Sequence, residues 1–297
     1  MRSPDQTQPP TASDDTPAGF GFALGAYALW GFLPLYVKLV DHIPATEVVA
    51  HRVIWSVPIA GAVLLALGRT ADLKAALRSG RTMAMAAVTA ALISVNWMIY
   101  VWAVSSGRAL DAALGYYINP IFSVFLAAIL LGERLSRLQW AAVALAALAV
   151  AVLTWEAGQI PQAALGLTVT WGFYAYFKRS LPVGPNQGFL LEVLLLTPFA
   201  VAWIGWIETR GEGHFGADPW LLMGMGVVTA VPLILYANGA KRLRLATIGM
   251  LQYTAPTMIL LLAVFVFGEE LDRARLIAFP MIWAALALYT VTLVRRS

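Results

Sequence analysis

Ionisable side chains are scarce in this chain, and those inside apolar stretches are the ones placed to do chemistry. Glu47, His51 and Arg52 lie together in TEVVAHRVIWS. At helical spacing Glu47 shares a face with His51 one turn away, and Arg52 lies too far into the apolar run to be a loop charge. Inserting a cation at such a depth costs about 2.5–3.5 kcal/mol, so it must face protein or water. A guanidinium there can hold a carboxylate or similar anion through charge-assisted hydrogen bonds, with His51 or Glu47 modulating it by taking up a proton. The competing reading is an internal ion pair that locks this helix to a neighbour. Glu192 is a second isolated carboxylate. A carboxyl group withdrawn from water holds its proton more tightly, so Glu192 and Glu47 are the candidates for proton coupling. Pairing of Glu192 with Lys178 or Arg179 is the alternative.

Amides and aromatics recur at similar depths. Trp30, Asn119, Trp171, Gln252 and Tyr253 fall near the centres of apolar stretches, with Asn96, Tyr100 and Tyr117 just off centre. Asn and Gln both donate and accept hydrogen bonds, and Pro120 and Pro256 each free a backbone carbonyl. Together these residues predict a binding pocket for a small amphipathic solute, with ring faces as walls. Singly, each reads as well as helix packing or interhelical glue. No cysteine is present and the three histidines are scattered, so neither a metal site nor a cofactor is expected.

The elements that hold these residues follow from composition. Sixty per cent of the 297 residues are apolar, 12% are charged, and the mean hydropathy is +0.74, a balance foreign to soluble domains. Stretches of about 20 apolar residues, enough to cross a bilayer core, follow one another at about 20–39, 46–67, 82–104, 110–131, 138–155, 161–178, 187–207, 218–238, 246–267 and 274–294. With the N-terminus inside, only Lys38, Arg108, Arg210, Arg273 and Arg275 fall in outer segments and Arg52 within a span, leaving the other fourteen of 20 Lys and Arg on the cytoplasmic side. That asymmetry predicts cytoplasmic N- and C-termini and accounts for the pI near 9.4 without nucleic acid as a partner. Residues 1–18 are polar and Pro-rich and read as a disordered cytoplasmic tail, not a signal peptide.

The chain also resembles itself. Shifted by 136, Tyr100 falls on Tyr236, Tyr117 on Tyr253, Pro120 on Pro256 and Gly132-Glu133 on Gly268-Glu269; shifted by 141, Trp30-Gly31-Phe32 falls on Trp171-Gly172-Phe173. The expected fold is therefore an all-α polytopic membrane protein of ten transmembrane helices in two five-helix repeats, residues 19–156 and 157–297. An odd number of spans per repeat inverts the second copy, the architecture of alternating access around a midplane site. Arg52 and Glu192 occupy equivalent positions in the two copies. Inversion separates them by about 15 Å along the normal, so two distinct polar sites are expected. Gly132 and Gly268 are expected to stop helices, and Asp111 to cap the helix that it opens.

The segments LWGFLPLYVK (29–38), EVVAHRVIWS (47–56), NWMIYVWAV (96–104), LGYYINP (114–120), GERL (132–135) and LQYTAPT (251–257) resemble the RarD-type branch of the EamA, or drug/metabolite, transporter superfamily. The resemblance implies a ten-helix carrier in a bacterial inner membrane whose relatives move amino acids, other metabolites or drugs, usually outward; an amino-acid-like cargo is favoured. Membrane lipid, a small-molecule substrate and protons are the expected partners, and the chain is expected to act as a monomer or homodimer. No GxxxxGK[ST] motif is present to drive transport with ATP. A membrane-embedded enzyme would need clustered acids, bases or metal ligands at one interface, whereas the intramembrane ionisable groups are spread over two depths. A non-transporting sensor or assembly subunit is the third reading.

Overall fold

The computed structural model describes residues 16–294 apart from 69, 131, 133, 159, 241 and 244. The described residues form twelve helices and no strand: α1 (Pro17–Leu39), α2 (Ala45–Ala66), α3 (Thr70–Arg78), α4 (Gly80–Ser105), α5 (Ala109–Leu130), α6 (Arg137–Ala157), α7 (Gln162–Arg179), α8 (Pro185–Thr209), α9 (Pro219–Ala240), α10 (Leu245–Leu251), α11 (Thr254–Phe265) and α12 (Arg273–Val294). Of the expected tail, residues 1–15 lie outside the described residues, as do Glu133, Lys241 and Arg244. Residues 16–18 are not tail: Thr16 caps α1, its Oγ1 accepting from the Gly19 N–H at 3.0 Å, and Pro17 opens the first turn, where its missing N–H costs nothing.

Eight of the helices, α1, α2, α4, α5, α6, α8, α9 and α12, are long and apolar enough to cross a bilayer, and the protein is a multi-pass membrane protein. Two expected spans differ. The sixth, α7, has 18 residues and ends in Lys178 and Arg179. The ninth is not one helix but two, α10 and α11, interrupted at Gln252 and Tyr253. Pro256 has no N–H to return to the Gln252 carbonyl, and the Tyr253 N–H turns back to the Met250 carbonyl at 3.3 Å, tighter than an α-turn. α5 stays continuous through the equivalent Pro120. Gly132 and Gly268 follow the ends of α5 and α11 with φ of 66° and 69°, a conformation that costs glycine least.

The largest helix pairings join the first set of helices to the second: α1 with α9 and α11, α4 with α7 and α8, α5 with α7 and α11, α2 with α8 and α9, and α6 with α12. Exchanging α1, α2, α4, α5 and α6 for α7, α8, α9, α10–α11 and α12 returns the same pairings. Small residues permit the close approaches. A Cβ on Gly115 of α5 would meet the Ala164 backbone of α7, and one on Gly226 of α9 the Trp55 backbone of α2. Ala142, Ala146 and Ala149 of α6 face a seam with Ala278, Ile282 and Ala285 of α12 buried in the same core. Without a hydrophobic drive between helices in lipid, close van der Waals packing of this kind supplies the attraction.

Candidate functional site

A cavity of about 670 Å³ lies between the two sets of helices, within the size range of small-molecule sites. It is lined by equivalent positions of both: Trp30 and Trp171, Leu33 and Tyr174, Trp97 and Leu233, Tyr100 and Tyr236, Tyr116 and Gln252, and Asn119 and Ala255. On α5, the lining residues Tyr116, Asn119 and Ser123 share one helical face, and Gln252, Ala255 and Pro256, at and after the break between α10 and α11, line the cavity as well. The lining extends from the level of Arg52 and Tyr100 to Lys178, Pro185 and Asn186, where α7 ends and α8 begins.

Arg52 is 4% exposed. Its guanidinium lies 4.3 Å from the centroid of the Trp97 ring, a cation–π contact that covers one face and leaves the edges. Its Nε and Nη1 have no hydrogen-bond partner, nor do the Tyr100 hydroxyl and Asn119 Oδ1, and all three residues line the cavity. Among the described residues no carboxylate pairs with Arg52. A buried cation without a counter-ion costs several kcal/mol, and two unpartnered donors at a cavity wall can hydrogen-bond an anion.

Glu192, at the position equivalent to Arg52, is fully buried and satisfied from within its own half. Lys178 Nζ lies 2.6 Å from Oε1 and the Tyr174 hydroxyl donates to Oε2 at 3.2 Å. The two ionisable groups therefore have separate partners. Lys178 and Tyr174 line the cavity while Glu192 stands behind them.

The remaining expected site residues divide. Trp30, Asn96, Trp171 and Gln252 join Arg52, Tyr100 and Asn119 in the wall. Asn96 is also spoken for, its Nδ2 donating to the Leu167 carbonyl at 3.1 Å and to Thr170 Oγ1 at 2.8 Å across to α7. Tyr117 and Tyr253 stand outside the wall. Tyr117 hydrogen-bonds Thr257 Oγ1 at 2.6 Å and packs edge-on against Phe279 and Trp283. His51 is also outside: its Nδ1 accepts from Trp55 Nε1 at 3.3 Å and its ring stacks on Phe215. Sequence reasoning missed Tyr27, Trp97, Tyr116, Tyr174 and Tyr236. The i, i+3, i+7 spacing of Tyr116, Asn119 and Ser123 was the available signal for Tyr116.

At the end of the bundle opposite Lys178, polar contacts tie the two halves together. The loop after α8 folds over α2, where the Glu47 carboxylate accepts from the His214 N–H and contacts His214 Nδ1, each at 2.7 Å. His42 meets Asp218 at 2.9 Å, and the Tyr36 hydroxyl donates to the Leu221 carbonyl at 2.8 Å. Glu269 accepts from the Ala109 and Leu110 N–H groups at 2.7 and 2.9 Å. This corrects the expectation for Asp111: α5 is capped by a carboxylate from the other half, and Asp111 pairs instead with Arg275 at 3.0 Å.

Comparison with known proteins agrees with this arrangement. The sequence model of the EamA-like transporter family matches residues 17–155 and again 162–291. An uncharacterized transporter of Pseudomonas aeruginosa is 44% identical over 277 residues, covering 92% of this chain and 93% of the relative. Protein RarD of Escherichia coli is 39% identical over 280 residues, covering 93% and 95%. A solved crystal structure shares the fold with a TM-score of 0.56 at 21% identity, over 93% of this chain and 98% of the other. The chain is a RarD-type member of the EamA-like transporter family.

Proposed function

We propose that this transporter is a secondary carrier of the bacterial inner membrane that moves a small amphipathic solute, outward, by alternating access, with Arg52 holding a carboxylate of the solute. One observation carries the assignment: Arg52 is a buried guanidinium without a counter-ion in the wall of a cavity between the halves. In this reading α7 and the α10–α11 pair complete ten crossings, and five crossings per half set the halves inverted about an axis in the membrane plane. Interchangeable helix pairings and equivalent lining positions favour that relation. Interrupted helices at mid-membrane are a recurrent feature of carrier sites, and α10–α11 is such a helix.

The distribution of Lys and Arg supports a cytoplasmic location for both termini and for the Lys178 end of the cavity. The cavity then reaches the side from which an exporter loads, while Glu47–His214 and Glu269 hold the outer side together. The Lys178–Glu192 pair at the loading end, rather than Glu47, is the better-placed candidate for exchange of a coupling proton. Flux of small carboxylates into liposomes that contain only this protein tests the carrier reading. Arg52→Ala and Asn119→Ala are expected to lower it by about tenfold or more, the effect of losing a buried charge-assisted contact, without reducing membrane insertion. Wild-type flux by both folded variants overturns the site.

A further inference from the structure

Resting on the reading that Arg52 holds a carboxylate, the charges around the cavity narrow the solute further. We infer that the cargo is an aromatic monocarboxylate with no ammonium group, rather than an α-amino acid. Among the described residues the lining contains two basic side chains, Arg52 and Lys178, and no Asp or Glu. Lys178 is neutralised by Glu192 at 2.6 Å, and both oxygens of Glu192 are engaged. The lining with its bound counter-charge therefore carries one net positive charge, at Arg52. A monoanion cancels it. A zwitterion leaves it standing and adds a second cation.

Geometry sharpens the distinction. In an α-amino acid the ammonium is borne by the carbon next to the carboxylate. Any pose that seats the carboxylate on Arg52 brings the ammonium within a few ångströms of the guanidinium, where like charges in a poorly solvated site repel strongly. Among the described residues no carboxylate lines the cavity to offset this. The unpartnered groups nearest in kind are the Tyr100 hydroxyl and Asn119 Oδ1, neutral acceptors suited to an indole N–H or a phenol O–H. The body of the solute meets rings. Tyr27, Trp30 and Tyr236 form a cluster with centroids 5.6–5.9 Å apart, and Trp171 and Tyr174 lie 5.5 Å apart. Such surfaces accept a flat aromatic body by offset or edge contacts.

The test uses the full-length wild-type protein in proteoliposomes, with counterflow measured for pairs that share ring and carboxylate but differ in the ammonium. The pairs are indole-3-propionate with tryptophan and 3-phenylpropionate with phenylalanine, and indole-3-propionamide serves as the probe without a carboxylate. Protein-free vesicles correct for passive entry. The ammonium-free acids are expected to exchange at least about tenfold faster than their amino-acid partners, with the amide inactive. Arg52→Lys should retain part of this preference and Arg52→Gln should abolish it. Exchange of tryptophan equal to or faster than that of indole-3-propionate, still dependent on Arg52, overturns this inference and leaves the carboxylate site intact. Equal exchange of acid and amide, indifferent to Arg52 in variants that melt like the parent, overturns the carboxylate site itself and this inference with it. The ligand pairs need no variant, so an Arg52→Gln protein that fails to fold still leaves the comparison decisive.

Discussion

Arg52 and Glu192 occupy equivalent places in the two halves and have opposite fates. Glu192 is enclosed by Lys178 and Tyr174 of its own half, so its charge is compensated whether or not solute is present. Arg52 lies against the face of Trp97 with Nε and Nη1 unpartnered, and among the described residues no carboxylate offsets its charge. On the proposed carrier reading, a proton delivered to Glu192 would leave Lys178 without its counter-charge at the cavity wall, which would couple protonation to anion binding. If it does, Glu192→Gln leaves transport running but flattens its dependence on pH, because the amide cannot titrate. Flux measured across a range of pH checks this, and a parent-like profile in a folded Glu192→Gln protein places the coupling elsewhere.

Among the helices, the contacts that matter for movement are those that let one half slide or rock on the other. Gly226 is pressed against the Trp55 backbone, which sets the α2–α9 distance just below Arg52. Gly226→Leu would force these helices apart. Overpacking of a tight contact costs about 1–3 kcal/mol, so the variant should melt at a lower temperature in detergent and lose transport together with stability. Gly205, whose added Cβ would meet nothing within 4 Å, supplies the control: Gly205→Leu should leave both unchanged. The interruption between α10 and α11 has a different role. Gln252 in the interruption lines the cavity, as the equivalent Tyr116 does from the continuous α5, so the break changes the backbone there and not which position faces inward.

For the molecule as a whole, the absence of cysteine makes accessibility a direct test of the arrangement. Single cysteines at Asn186 and at Ser123 lie along the cavity toward the Lys178 end, whereas Gly213 lies in the loop after α8 that covers α2. Membrane-impermeant thiol reagents are expected to label Asn186→Cys and Ser123→Cys from the cytoplasmic side and Gly213→Cys from the outside. Excess solute should protect Ser123→Cys. Labelling of Gly213→Cys and Asn186→Cys from the same side removes α8 (Pro185–Thr209) as a membrane crossing and with it the ten-crossing reading.

Sequence alone was sufficient for whatever the bilayer and the duplication impose. Long apolar runs must become helices because lipid offers no partner for a free backbone group, and the ordered segments from LWGFLPLYVK to LQYTAPT carry the family resemblance. Polar residues in apolar runs pointed to Arg52, Asn119, Trp30, Trp171 and Gln252, all of which line the cavity. Of the two duplicated tyrosine pairs, Tyr100 and Tyr236 line the cavity and Tyr117 and Tyr253 do not, for a physical reason. Tyr117 and Tyr253 recur but stand outside the wall, and Tyr117 packs helices together, while the neighbouring and unequal Tyr116 and Gln252 face the solute space. One residue along a helix is a rotation of about 100°, and only packing against a particular neighbour fixes which side is inward. Which cation stays unpaired was likewise a tertiary matter. Lys178 and Glu192 meet, Arg52 meets no carboxylate among the described residues, and that difference depends on how α2, α4 and α7 come together in space, a relation that spacing along the chain does not encode.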